Sequence, residues 1–345
     1  MIYIYLIRLI LNLPSIFLIW LSGSKQKTTK GNRKLDPGFQ FLLNHMGEID
    51  PSKIDLSLPS SEIRKIISNA QDDIKSLEKP LARGVSYKDH QVKGEGESIR
   101  VREYTTEGLC NNAPALIYFH GGGWVLMNIE SHHVFTGFLC KTLEAKVFSV
   151  DYRLAPENPY PAALNDFDTV FDWLELNHAE LGIDPERISV GGDSAGGNLS
   201  ACISIRRQAE GKNLPKAQLL IYPVTDLTFS SDSIEELAED FFLTKEVMYW
   251  FRDKYLEAEE SFKDPLISPL FAKDLSHQPP AVVVTAGFDV LRDEGEAYAK
   301  LLKSFDVETY YHEYQGYIHG FVNMEMVKGV NDSIIEFCND FKKIN

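Results

Sequence analysis

From Val85 onward the chain alternates two hydrophobic patterns. Residues 115–119, 145–150, 188–190, 217–221 and 281–286 are brief and almost wholly apolar, as expected of strands buried on both faces. Residues 98–104 alternate more loosely, as a strand with one wet face. Between these runs lie helical stretches over 134–143, 162–176, 195–209 and 294–305, then a strand over 307–311 and a closing helix over 330–341. In 162–176 the residues Phe167, Val170, Phe171 and Leu174 share one face, which predicts packing on a sheet. Strands alternating with helices of this length predict an α/β fold with a mostly parallel central sheet and helices on both faces.

Two regions break the rhythm. Residues 35–82 hold helical patches separated by Pro and Ser: Phe39, Phe41, Leu42 and Met46 fit one helix face, and Ile63, Ile66, Ile67 and Ile74 fit another opening at Pro59-Ser60-Ser61-Glu62. About 228–268 there is no buried-strand signal, and Thr244 reads as the N-cap of a helix through Trp250 and Tyr255. The division is therefore an apolar leader or anchor (1–24), a polar linker (25–34), N-terminal cap helices (35–82) and an α/β core (83–343). The insertion near 228–268 completes a helical cap over the carboxyl ends of the strands, where ligands of such sheets bind.

The leader invites more than one reading. Residues 1–21 are apolar apart from Arg8, Asn12 and Pro14, and Lys25, Lys27, Lys30, Arg33 and Lys34 follow. Three readings compete: a membrane anchor, spanning or lying in the interface; a signal peptide, with Ser22 and Ser24 near a cleavage site; and an apolar helix packed on the protein's own cap. The first makes a membrane a partner and membrane association the expected localisation; cytoplasmic and secreted locations stay open.

Composition narrows the partners. With 345 residues, 44% of them hydrophobic, the chain is long enough for a large core. A net charge of -15 argues against a duplex nucleic-acid binder. Cys110, Cys140, Cys202 and Cys338 form no C-x-x-C pair, and His132, His133 and His312 have no metal-ligand spacing with another ligand type. Neither a metal nor a cofactor is expected. His132 and His133 read as the start of a helix, and His312 as the end of a strand.

The chemistry sits in four places. Gly192-Asp193-Ser194-Ala195-Gly196-Gly197 follows the run 188–190 and opens a helix. A tight strand-to-helix turn leaves no room for Cβ atoms two positions either side of Ser194, and it presents the hydroxyl at a helix N-terminus. His319 in Gly316-Tyr317-Ile318-His319-Gly320-Phe321, a glycine-flanked loop, is the candidate base. Asp289, after the run 281–286, is the candidate that orients it. Gly122 and Gly123 of His120-Gly121-Gly122-Gly123, with Ala195, are the candidate oxyanion donors. His120 and Gly121 read as structural parts of that loop, Asp193 as a tether of the turn, Asp226 as a cap or loop anchor, and Asp293 as a helix cap. The order Ser, Asp, His and the required parts suit acyl transfer from an ester to water.

The same motifs, with Asp151-Tyr152-Arg153-Leu154-Ala155-Pro156-Glu157 and Asp289-Val290-Leu291-Arg292-Asp293, resemble the hormone-sensitive lipase-like family of α/β-hydrolases, which includes the arylacetamide deacetylase-like esterases. The resemblance runs from about 35 to 341. It implies an α/β-hydrolase fold with a cap and Ser194, Asp289 and His319 as the triad. It implies Gly122, Gly123 and Ala195 as the oxyanion hole, residues 152–157 as a supporting turn, and small to medium acyl esters as substrates. An arylamide deacetylase or a lipase would use the same machinery. A non-catalytic small-ligand receptor is the alternative of another class; the plant relatives of that kind lack the histidine that this chain keeps at His319. Aromatics such as Phe39, Phe41, Trp124, Phe241, Phe242 and Trp250 are expected either to line a cap or to pack in the core.

Overall fold

The computed structural model describes residues 2–45, 53–75, 81–257 and 262–345. Met46 lies outside them, as does the side chain of Ile74. Among the described residues eight strands form one sheet, in the order β1-β2-β4-β3-β5-β6-β7-β8. They are β1 (Val85–Lys93), β2 (Ser98–Thr106), β3 (Ala113–Phe119), β4 (Lys146–Asp151), β5 (Ile183–Asp193), β6 (Gln218–Ile221), β7 (Ala281–Phe288) and β8 (Thr309–Ile318). β1 and β2 run antiparallel at one edge; β4 to β8 and β3 are parallel. Every residue of β3 and β7 is buried, which is why those stretches read as continuous apolar runs.

Helices α5 (His133–Leu143) and α12 (Val330–Ile344) cover one face; α6 (Ala162–Leu176), α8 (Ala195–Glu210) and α11 (Arg292–Ser304) cover the other. Phe167, Val170, Phe171 and Leu174 are buried as their spacing predicts. The chain leaves β3 toward β4 on one side and later returns to β5 on the other. The order of connections thus reverses between β3 and β5, and a crevice forms where it does. The loops leaving those two strands begin at His120 and Ser194.

The end of the sheet departs from the expectation for 307–311. β8 continues to Ile318, so His312 lies inside it and pairs with Asp340 at 2.9 Å. An edge strand with alternating polar residues lacks the apolar run that marks a buried one. Gly316, Tyr317 and Ile318 are therefore strand, and His319 follows the strand directly.

The leader is not a membrane span. Pro14 separates α1 (Ile2–Leu11) from α2 (Ser15–Leu21), and among the described residues no helix is long and apolar enough to cross a membrane. A span needs about 20 continuous residues. Ile7, Leu11 and Leu18 are buried in the main core, Arg8 lies 3.6 Å from Glu325, and α2 packs on α3 (Pro37–His45). The membrane partner and membrane-associated location expected from residues 1–21 are thereby overturned.

The N-terminal segments meet the stretch between β6 and β7 that carries α9 (Asp232–Glu236) and α10 (Lys245–Tyr255). Trp250 Nε1 donates to Leu56 O at 3.0 Å, Lys30 N to Glu236 at 2.6 Å, and Lys27 pairs with Asp240 at 3.1 Å. Thr244 caps α10 as predicted, its hydroxyl accepting from Val247 N at 3.2 Å. Asp293 is not a cap. It accepts from Ser233 N at 2.9 Å and from Arg292 Nε at 2.7 Å, tying α11 to α9. Asp226 anchors its loop through Thr228 and Ser230.

Candidate active site

Strand register sets the site. Phe288 of β7 pairs with Ile318 of β8, so the residues that follow, Asp289 and His319, leave adjacent strand ends together. His319 Nδ1 lies 2.7 Å from Asp289 Oδ2, and Leu291 N donates to Asp289 Oδ1 at 2.9 Å. Asp289 can only accept, so Nδ1 of His319 carries the proton and Nε2 is left as the acceptor. Likewise Asp193 of β5 pairs with Ile221 of β6, which sets Ser194 beside Tyr222. The Tyr222 ring tilts against the His319 ring at 4.6 Å, so it spans the gap between the serine's neighbour strand and the imidazole.

Ser194 has φ 56 and ψ -117, a conformation that L-residues rarely adopt. It is held by its amide donating to Ile221 O at 2.9 Å and by its carbonyl accepting from Asn198 N at 3.0 Å. Glycine is required around it. A Cβ on Gly196 would fall 1.8 Å from Phe119 O, and one on Gly192 would fall 2.4 Å from Gly196 C. That approach presses the first turn of α8 onto the end of β3, where the triglycine loop starts.

Loop and turn are joined through Asp193, which is wholly buried. Tyr118 Oη donates to it at 2.6 Å, Gly121 N at 2.8 Å, and His132 Nε2 lies 3.2 Å from Oδ1. Burial alone would raise its pKa; the His132 imidazole, the Tyr118 hydroxyl and the Gly121 amide overcome that and bring it down to about 2. The carboxylate thus adds stability above its ordinary range near 3.8, and that contribution fades as pH falls toward 2. Asp193→Asn should lose about 2 kcal/mol at pH 7. Urea unfolding at several pH values should find the gap to wild type narrowing between about pH 4 and pH 2; a gap that widens there would refute the assignment.

Gly122 and Gly123 have φ 113 and 60. Among the described residues neither amide finds an acceptor, the condition for donating to a ligand. Ala195 N opens α8 and is one of that helix's orphan donors. His120 is buried and its Nδ1 donates to Gly121 O at 2.7 Å; Tyr152 stacks on it at 4.4 Å and donates to its carbonyl at 2.9 Å. Burial first, then His132, pushes its pKa down to about 3, so it is neutral and serves the loop's shape. The 152–157 turn supports the loop further, Ala155 N donating to Trp124 O at 2.9 Å.

Behind the site, Glu294 Oε1 accepts from Thr225 N at 2.7 Å and Asp226 N at 3.1 Å, while Oε2 is buried without a partner. Burial pushes its pKa well above 4.5. Stability from the protonated form is then complete below that value and lost as pH rises. Glu294→Gln should therefore be the more stable protein at pH 7, with an advantage that shrinks toward pH 4.5; a constant difference in thermal midpoint would contradict this.

Open clefts of about 470 Å³ beside Lys27 and His45, and about 690 Å³ beside Glu175 and Leu214, border none of Ser194, Asp289 and His319. The site therefore rests on its own geometry. It also includes residues that the sequence reading did not single out for it. Tyr118 sits in an apolar strand, His132 at a helix start and Tyr222 after a short strand; only their contacts distinguish them.

A family model described as alpha/beta hydrolase fold matches residues 116–323. The chain belongs to the α/β-hydrolase family. This α/β-hydrolase is 36% identical over 318 residues to the carboxylic ester hydrolase LipN of Mycobacterium tuberculosis, covering 90% of this chain and 82% of that protein. It is 38% identical to an arylesterase of Saccharolobus solfataricus, across 68% of this chain and 76% of the other. Among solved structures, the hyperthermophilic esterase of Pyrobaculum calidifontis superimposes with a TM-score of 0.83 at 36% identity, over 90% of this chain and 98% of that one. The resemblance to hormone-sensitive lipase-like carboxylesterases read from the motifs is borne out, as is the fold class with its mostly parallel central sheet.

Proposed function

We propose that this α/β-hydrolase is a serine carboxylesterase acting on small to medium acyl esters. The observation that carries the reading is the 2.7 Å contact of His319 with Asp289 at in-register strand ends, which leaves Nε2 of the imidazole as a base. Ser194 is the nucleophile. His319 takes the proton of its Oγ as the oxygen attacks the ester carbonyl, and returns it to the leaving alcohol oxygen. Asp289 holds the tautomer and stabilises the imidazolium. The N–H groups of Gly122, Gly123 and Ala195 receive the developing oxyanion; in such sites each donor contributes about 3 kcal/mol. The acyl-enzyme is hydrolysed when His319 activates water by the same route. His120, Gly121 and Asp193 shape the loop and touch no substrate. Helices from 35–82 and the insertion near 228–268 form the cap.

The names of the relatives, a carboxylic ester hydrolase and an arylesterase among them, support the ester class. A series of p-nitrophenyl esters of rising acyl length, run beside an aryl amide and the Ser194→Ala variant, tests the reading. Serine-dependent turnover of short and medium esters is expected; turnover of the amide alone would transfer the assignment to a deacetylase.

A further inference from the structure

Two aromatic side chains of the insertion sit on the two glycines that flank the reaction. A Cβ on Gly123 would lie 2.1 Å from Cγ of Phe251, so the Phe251 ring rests directly on the backbone of a proposed oxyanion donor. A Cβ on Gly320, next to His319, would lie 3.0 Å from Cε1 of Phe242. Phe251 is firmly held. One helical turn on, Tyr255 stacks on Trp124 at 4.4 Å with the rings 4° from parallel. Successive residues of the glycine loop, Gly123 and Trp124, thus meet successive turns of α10. Tyr160 N also donates to Tyr255 O at 2.9 Å. Phe242 belongs to a tighter turn, with φ 73, beside Phe241, whose ring packs on Phe288 at 5.1 Å.

The chemistry gives these positions different jobs. His319 must reach the leaving oxygen to return its proton, so the alcohol portion lies on the side of His319 and Gly320. The acyl chain leaves the same carbonyl carbon on the side away from His319, and Phe251 is the insertion ring that lies on the oxyanion loop rather than beside His319. We infer that Phe251 is the wall that limits acyl length and that Phe242 is the wall that limits alcohol bulk. This rests on the esterase reading above. No substrate atom fits between Phe251 and Gly123, so a longer acyl chain must turn aside at the ring or displace it.

The test uses the full chain and two ratios of kcat/KM. The acyl ratio compares p-nitrophenyl octanoate with p-nitrophenyl acetate; the alcohol ratio compares 1-naphthyl acetate with ethyl acetate. Phe251→Ala should raise the acyl ratio about tenfold or more, and Phe242→Ala should raise the alcohol ratio by a similar factor. Each variant should move the other ratio less than about threefold. Phe251→Leu, which keeps most of the helix packing, should shift the acyl ratio in the same direction by less, and it decides the matter if Phe251→Ala does not fold. Flat acyl ratios in both Phe251 variants, or effects exchanged between the two positions, would overturn the inference while leaving Ser194-dependent ester hydrolysis intact. Absence of Ser194-dependent hydrolysis in the wild type would bring down the esterase reading and this inference with it.

Discussion

Ser194→Ala should lower kcat on p-nitrophenyl butyrate by about 10⁵-fold, leaving only the acceleration due to binding and the oxyanion donors. The size follows from the proposed arrangement: His319 and Asp289 act only through the oxygen that alanine lacks. Stability should move separately. Ser194 is held at φ 56 and ψ -117, and backbone strain of that kind costs on the order of 1–3 kcal/mol. Alanine inherits it; glycine relieves it. Ser194→Gly should thus be as inactive as Ser194→Ala and more stable by about 1 kcal/mol. Steady-state rates with urea unfolding of both variants read the two effects apart. Retained turnover in either variant, after ruling out trace wild type, would remove Ser194 from the mechanism.

Gly196→Ala should be among the most damaging single-methyl changes in the molecule. The added carbon would stand 1.8 Å from Phe119 O, 2.5 Å from Phe119 C and 3.0 Å from His120 O. All three are backbone atoms at the mouth of β3, which no side-chain rotation can clear. Either α8 or the triglycine loop must shift, so we expect a loss of more than about 3 kcal/mol in stability. Activity should fall as well, because the same displacement separates the proposed oxyanion amides from Ser194. Gly211→Ala is the control. It has φ 66 but nothing within 4 Å, and should cost only about 1 kcal/mol with turnover preserved. A Gly196→Ala protein as stable as Gly211→Ala would mean that the nucleophile turn is not seated against β3.

Much of the core and of the nucleophile turn was legible in the order of residues alone. The apolar runs gave β3 and β7 because strands covered on both faces need no polar alternation. The small residues about Ser194 marked the turn because only they survive its contacts, and the helix of α10 was announced by its cap at Thr244. What lacked a local signature had to wait for tertiary structure. β8 ran past its apolar start because an edge strand can carry polar residues on its open side. The apolar leader matched a membrane span in composition; Pro14 and the burial of Ile7, Leu11 and Leu18 decided otherwise. Asp193 was legible as a tether, but its partners Tyr118 and His132 come from a strand and a helix cap that are 75 and 61 residues earlier in the chain. The seat of Phe251 on Gly123 was invisible for the same reason: hydrophobic periodicity places a side chain on a face of its own element, and only the packing of elements says which backbone that face will touch.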